Sequence, residues 1–507
     1  MSDIFDEKLK SNRKKNTLRM TIAGFVYVIA SIVFPFLIRT LMIYKMGDDY
    51  AGINTVLLSI ISMLNMTELG LGSVIVYFLY DPIARGDIIR TGAFLNVLKK
   101  VYRYIALFVL MIGIAVIPFL KIIINDDIPY EANIYTSYLL FLSSSLVLYL
   151  GFPEADMLFN AYQRGDIVNN IKLISSIIAY ALQIVAIVIL HSFVCYFAAI
   201  LIQSLVIIWF RYYEKRQKYP NIVVKGDITS VEKTEIKKRV LSVVGHQMDE
   251  KFLSSIDNVI LSYFCGLSVV TIYGNYMYVV SALGMFFNVL FNSITLTMGN
   301  ALVTDSKESN YNRFRKIMVL NSALVAWMFI CMLCIYSEFM NLWMGNRLFP
   351  VETVILFCLY FFVMQIRRTV ITFKNANGMW WEDRYKPYVS MIVNLLLDIV
   401  LVNIIGVNGA LISSILSITL IEIPWESKVL IRDYFGKKIG IYYCEAFKCL
   451  IICVVGGLVS YWICMSFSFS ISIINIIVYL FLCTIVFVFF FLALFFKNIH
   501  SYYTNKA

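Results

Sequence analysis

Charge is scarce in this chain. Only 15% of its 507 residues are Asp, Glu, Lys or Arg, against 60% hydrophobic, and there are three histidines. Between Leu450 and Phe496 there is no charged side chain at all. No water-soluble core needs that much apolar surface, so an ordinary soluble globule is excluded. Long hydrophilic segments are missing too. The longest runs only from about Tyr212 to Arg239, which leaves no folded soluble domain on which a basic face could read nucleic acid. A cleavable signal peptide is also lacking. The first apolar run is too long, its flank is charged and no small-residue cleavage pattern follows. That run is expected to stay in place as the first membrane span.

What is present is a succession of apolar segments. Lipid admits only helices or closed barrels, and these runs are too long for barrel strands. The fold class expected is therefore an all-α membrane protein. A length of ~20 residues per span gives about 14 transmembrane helices, near 18–43, 50–79, 101–124, 134–160, 167–190, 193–212, 239–265, 269–302, 317–342, 352–374, 386–405, 408–430, 444–465 and 471–496.

Basic residues orient them. With the N-terminus inside, 38 of the 43 Lys and Arg side chains fall on inner segments. Lys45, Lys121 and Arg347 fall on outer loops, and Arg39 and Lys251 lie within spans. This bias predicts an even number of spans with both termini in the cytoplasm. The net charge of +11 is thus mostly a topology signal, suited to anionic inner-leaflet lipids.

A repeat runs through the chain. Ile174 to Val185 aligns without a gap on Val389 to Val400, an offset of 215 residues that sets Gln183 against Asp398. Upstream, Asn160-Ala161 faces Asn375-Ala376; downstream, Ala198 to Leu201 faces Ser413 to Leu416. An offset of six spans preserves orientation, so the halves are expected to be two parallel-related six-helix bundles, with a ligand site between them. The expected organisation is a cytoplasmic tail (1–17), a first bundle (18–212), a cytoplasmic linker (213–238), a second bundle (239–432), and two peripheral C-terminal helices with a short tail (433–507).

Ionisable groups deep in a bilayer are costly, so each is a candidate for function. Span seven is richest: His246, Asp249, Glu250 and Lys251 interrupt it and Asp257 follows. Lys251 is expected to pair locally with Glu250 or Asp249; Asp257, six residues on, is too far along the helix for a one-turn contact. Were 246–251 simply wet at the interface, only about fourteen residues would remain to cross the membrane, too few. Cations here suit phosphates, and carboxylates and amides suit sugar hydroxyls.

Other candidates have equal or blander accounts beside the functional one. Arg39 lies near the outer end of span one, where snorkelling explains it as well as substrate binding does. Glu68 sits in a Glu-Leu-Gly-Leu-Gly stretch, with glycines that permit close helix contact. Asp398 is alone in an apolar helix, where an interhelical hydrogen bond would also hold it. Arg367 and Arg368 either snorkel inward or meet a phosphate. Glu154 and Asp156, after Pro153, are expected near the cytoplasm and partly solvated, and Glu422 has no evident partner. Tyr273, Tyr276 and Tyr278 could stack on sugar rings, although packing accounts for each singly. Cys331-Met-Leu-Cys334 has the spelling of a metal or redox motif, but it lies in an apolar helix, where small buried residues are the default.

Several motifs in order resemble a family. Lys251, then Asp257-Asn258-Val-Ile260, Gly266-Leu267, Val270 and Tyr273-Gly-Asn275-Tyr276 are similar to the seventh-to-eighth-span signature of bacterial polysaccharide flippases. These are the Wzx-type members of the multidrug/oligosaccharidyl-lipid/polysaccharide exporter (MOP) superfamily, which also contains the MATE transporters. Glu68 to Gly72 through Tyr80-Asp-Pro-Ile83 resembles the second span and its loop, and Asn375-Ala-Asn-Gly378, Asn394 and Gly406-Val-Asn-Gly409-Ala the tenth to twelfth.

The resemblance covers nearly the whole chain. It implies alternating access around a central cavity and, as substrate, an undecaprenyl-diphosphate-linked oligosaccharide carried from the inner to the outer leaflet of the bacterial cytoplasmic membrane. It implies work alongside the polymerase and glycosyltransferases of one surface-polysaccharide pathway. No cofactor is expected; coupling to H+ or Na+ is left open. The cavity candidates are Arg39, Glu68, His246, Asp249, Glu250, Lys251, Asp257, Asn258, Tyr273, Asn275, Tyr276, Arg367, Arg368 and Asp398. Two other readings stand beside this one. A MATE-like multidrug or metabolite antiporter would need an acidic pocket for cationic drugs. A membrane-embedded polysaccharide polymerase would need a long outer loop, whereas the longest here are near 125–133 and 341–351.

Overall fold

The computed structural model describes the backbone of residues 2–65, 71–345, 347–467, 469 and 471–504. Within these, side chains are described for 19, 22–65, 72, 74–129, 131–240, 244–246, 248–249, 251–295, 298, 302, 305–345, 347–467, 469 and 471–493. Glu68 and the Glu250 side chain lie outside the described residues.

The described chain is helical, with no strand. It forms two compact units, residues 1–271 and 272–507. Eleven described helices are long and apolar enough to cross a membrane, or twelve counting one bent pair. The three remaining expected spans differ in instructive ways. The 50–79 span is two helices, α2 (Asp48–Leu64) and α3 (Leu71–Ala84). The 134–160 span is α6 (Ile134–Leu150) and α7 (Pro153–Ala161), bent by 50°. Phe152 sits at a left-handed φ of 54° and Pro153 occupies the first turn of α7, where its missing N–H costs nothing. The 239–265 span belongs to α10 (Ser230–Cys265), 36 residues and too polar to pass as an apolar span.

The first unit also contains α1 (Ser2–Lys45), α4 (Ile88–Val116), the short α5 (Leu120–Ile123), α8 (Gly165–Val188) and α9 (Phe193–Lys218). Helix α1 packs on α8, α8 on α9, α9 on α6, and α2 on α10. Helix α10 therefore belongs with the first unit, and the expected linker lies inside that unit. The linker is fastened to the base of α4. Asn96 Nδ2 donates to the Gly226 carbonyl at 2.7 Å, and Arg90 pairs with Glu232 at 2.6 Å. At Gly92 a Cβ would lie 2.1 Å from the Val223 carbonyl oxygen, so only glycine allows this approach.

Helix α11 (Leu267–Thr304) starts in the first unit and continues into the second. The second unit is organised on α12 (Lys307–Met344). Around it pack α13 (Val351–Ile366), α14 (Arg368–Ala376), α18 (Gly440–Ile451), α19 (Gly457–Ser466) and α20 (Ser472–Thr504). Helices α15 (Lys386–Ile405) and α16 (Val407–Ser417) form a hairpin, and α16 runs through a π-helical turn into α17 (Ile423–Ser427). The repeat is visible in the backbone: α7 and α14 begin and end 215 residues apart. So do Gln183 and Asp398, both buried.

Candidate functional site

In the first unit the expected residues gather on α10. Its start is set by a capping box: the Thr229 hydroxyl accepts the Glu232 N–H at 3.3 Å, and the Glu232 carboxylate accepts the Thr229 N–H at 2.9 Å. Its other end is the Gly266 turn, φ +85°, a conformation that glycine adopts without strain. There the Asp126 carboxylate accepts the Leu267 N–H at 2.9 Å, capping α11.

This acidic turn marks a natural water edge. A hydrocarbon layer of ~30 Å counted back from it takes in about twenty helical residues, to about position 246. Lys251 lies roughly 21 Å from that turn along the helix.

Asp249 and Asp257 are buried, whereas Lys251 is exposed. No described residue forms an ion pair with Lys251, so the expected pairing with Asp249 does not form. Asn258 donates to Ser59 Oγ on α2 at 3.0 Å, which fixes α10 against that helix. His246 is half-buried. Arg39 is committed to structure: it donates to Thr55 Oγ1 and to the Thr271 carbonyl, both at 3.0 Å, and so ties α1 to α2 and α11.

A second polar group lies between α7 and α9. The Arg211 fork grips Asp156 at 2.6 and 3.1 Å and also donates to the carbonyls of Leu148 and Gly151. Beside it, Lys99 and Lys215 stand 3.9 and 3.7 Å from one oxygen of Glu154. Glu154 and Asp156 are both buried; the partial solvation expected for them is absent.

In the second unit the ionic groups again converge at a helix crossing. Arg367 reaches Glu422 at 2.5 Å and Glu426 at 3.1 Å. Lys386 reaches the same two carboxylates at 3.1 and 2.8 Å, and Ser390 donates to Glu422 at 3.1 Å. Nearby, buried Lys374 pairs with buried Asp383. The whole group is charge-balanced, as buried charges must be. Arg368 instead bonds the Gln365 side chain at 3.3 Å.

Asp398 accepts a hydrogen bond from Ser413, and Asn394 donates to Ser414 at 3.3 Å, so α15 and α16 are held by a polar ladder. Tyr273, Asn275 and Tyr276 are interior. The Tyr276 ring packs on Tyr336, Phe349 and Phe357 at centroid distances of 5.0–5.2 Å, and its hydroxyl accepts the Phe349 N–H at 3.2 Å. Of the Cys331–Cys334 pair, Cys334 meets Cys464 and Cys483, all buried, with the three sulfurs within 4.8 Å of one another.

The structure thus brings Arg367 together with Glu422 in the second unit, and in the first it sets Asp249 and Asp257 eight residues apart on α10. Lys386, Lys374, Glu426 and Arg211 were missed as site residues. One signal was available: Glu422 and Glu426 are four apart in an apolar segment, one helical turn on the same face.

No family model matches this chain, and no curated protein matches it in sequence. Solved structures do match. The lipid II flippase MurJ in an inward closed conformation superposes with a TM-score of 0.69 at 12% identity, over 95% of this chain and 99% of that one. An inward-facing multidrug resistance MATE family transporter of the MOP superfamily gives 0.62 at 11% identity, over 79% and 94%. A MATE structure in the bent conformation gives 0.57 at 12% identity, over 86% and 97%. The chain is therefore a multi-pass, all-α membrane protein with the fold that the MurJ flippase and the MATE transporters share.

Proposed function

We propose that this protein is a flippase that carries an undecaprenyl-diphosphate-linked oligosaccharide from the inner to the outer leaflet of the bacterial cytoplasmic membrane by alternating access. It serves surface-polysaccharide synthesis, alongside the glycosyltransferases and polymerase of that pathway, with both termini in the cytoplasm. The transporter fold supports a carrier reading over an enzyme.

The observation that carries the substrate class is Lys251. It is an exposed ammonium with no ion-pair partner among the described residues, on a helix whose length sets it roughly 21 Å from the outer turn. A cation held within the layer is costly unless something anionic comes to it, and a diphosphate is such a group. Asp249 and Asp257, two residues before Lys251 and six after it, favour the antiporter as second reading, because a cationic drug or a coupling H+ or Na+ would seek them.

Lys251→Gln separates the two readings. A diphosphate carrier bearing it inserts normally, but cells relying on it lose surface glycan and accumulate the lipid-linked intermediate. Undiminished glycan from Lys251→Gln would remove this residue from the mechanism. Loss of drug resistance with glycan intact would establish the antiporter.

A further inference from the structure

The turn between α17 and α18 carries a cationic cavity that the transport reading does not use. Its volume is about 410 Å3 and it is lined by Arg432, Gly436, Lys437, Lys438 and Ile439. The base of the turn is rigid. Phe435 is buried against Tyr311 and Phe314, with ring centroids 5.4 and 5.8 Å away. The Lys437 N–H donates to the Ile431 carbonyl at 2.9 Å, closing the turn over the end of the preceding helix.

Lys437 is partly neutralised, since its ammonium meets Glu308 at 2.8 Å. Arg432 and Lys438 are exposed and have no carboxylate partner among the described residues. Asp433 is adjacent in sequence but does not line the cavity. The cavity therefore holds a surplus of positive charge.

The neighbouring helix supplies the second observation. From the cavity, α18 runs into the apolar part of the chain. Tyr443, Phe447 and Ile451 lie on it at successive i+4 positions, all exposed, Phe447 by 62%. A cationic pocket at the head of an exposed apolar stripe matches one amphiphile: an anionic headgroup above an acyl chain.

We propose that this turn is a binding site for an anionic phospholipid. Arg432 and Lys438 hold the phosphate, and the acyl chain lies along Tyr443, Phe447 and Ile451. A free phosphate would satisfy the cations but leave the stripe without a role. The site is independent of the transported substrate.

The test uses the full-length protein in mild detergent. It is titrated with phosphatidylglycerol or phosphatidylcholine, and bound lipid is counted by mass spectrometry of the intact complex. Arg432→Gln/Lys438→Gln breaks no ion pair, so folding is spared; unchanged thermal unfolding in phosphatidylcholine checks this. The double variant is expected to bind phosphatidylglycerol about thirtyfold more weakly, given the ~1 kcal/mol that each of the two basic side chains contributes at an anionic surface. Phe447→Ser should weaken lipid binding with the cations intact. Equal affinity for phosphatidylglycerol in wild type and double variant would overturn the site. Displacement of the lipid by millimolar inorganic phosphate, with Phe447→Ser neutral, would overturn the lipid assignment in favour of a soluble anion.

Discussion

Replacing Lys386 with methionine should destabilise the second unit severely, and a second substitution should repair the damage. Lys386 is 3% exposed in its side chain, and its ammonium lies 3.1 and 2.8 Å from Glu422 and Glu426, themselves 1% and 2% exposed. Arg367 is the other cation within reach of both acids. In Lys386→Met the two carboxylates share that one guanidinium, leaving one uncompensated negative charge in the interior. Breaking a buried pair from one side costs about 3–5 kcal/mol. That is a large part of the ~5–15 kcal/mol that holds a domain together.

Glu426→Gln alone errs the other way, leaving two cations to one acid, and should cost a similar amount. Together the two changes restore neutrality around the Arg367–Glu422 contact. The double variant should then be more stable than either single one, with a coupling energy of up to about 3 kcal/mol. At about 2–4 °C per kcal/mol for a unit of this size, each single variant should lose roughly 6–20 °C from its thermal midpoint in detergent. The double variant should recover at least half of that. If the two losses simply added, the four groups would not form one charge-balanced unit, and the account of this crossing would fail.

Gly92→Ala should loosen the linker, because its Cβ would stand 2.1 Å from the Val223 carbonyl; overpacking of ~1–3 kcal/mol should appear as faster limited proteolysis within 219–229. Tyr276→Phe deletes the acceptor for the Phe349 N–H and should lower stability by ~1 kcal/mol while leaving transport intact; a transport loss at unchanged stability would make the hydroxyl a substrate contact. Burial pushes the Glu232 carboxyl up, but hydrogen bonds from Thr229 and Arg90 outweigh it and hold the group below its ordinary value. Its contribution is therefore present above the usual carboxylate range and is lost as pH falls through it, so proteolysis of the linker should accelerate on acidification toward about pH 4. Glu232→Gln should abolish that acceleration.

Much of the fold could be read from apolar run length, because a helix that must satisfy its own backbone in lipid announces itself in one dimension. The breaks were harder. Nothing local distinguishes the bend at Phe152 from continuous helix except Pro153, which a helix start also tolerates. Helix α10 was legible as polar, yet not as a member of the first unit, since that depends on Asn258 meeting Ser59 across 199 residues. The ionic crossings were the least legible. Arg211 and Asp156 are 55 residues apart, and Arg367 and Glu426 are 59. Periodicity says which face a residue occupies, but only the helix crossing decides which faces meet. Lys374 and Lys386 even read as inner-loop charges for topology, and both are buried.

The 215-residue offset places Arg211 opposite Glu426 in the alignment. Each is the anchor of its own unit's salt bridge, one a base gripping an acid and the other an acid gripping bases. Transplanting residues 408–433 into the place of 193–218 would set a glutamate against Asp156 and Glu154 in place of Arg211, and would remove Lys215 from beside Glu154 as well. The two copies of the repeat thus carry opposite polarity at one shared position, and a chimera that mixes their helices would acquire a fault that neither copy has.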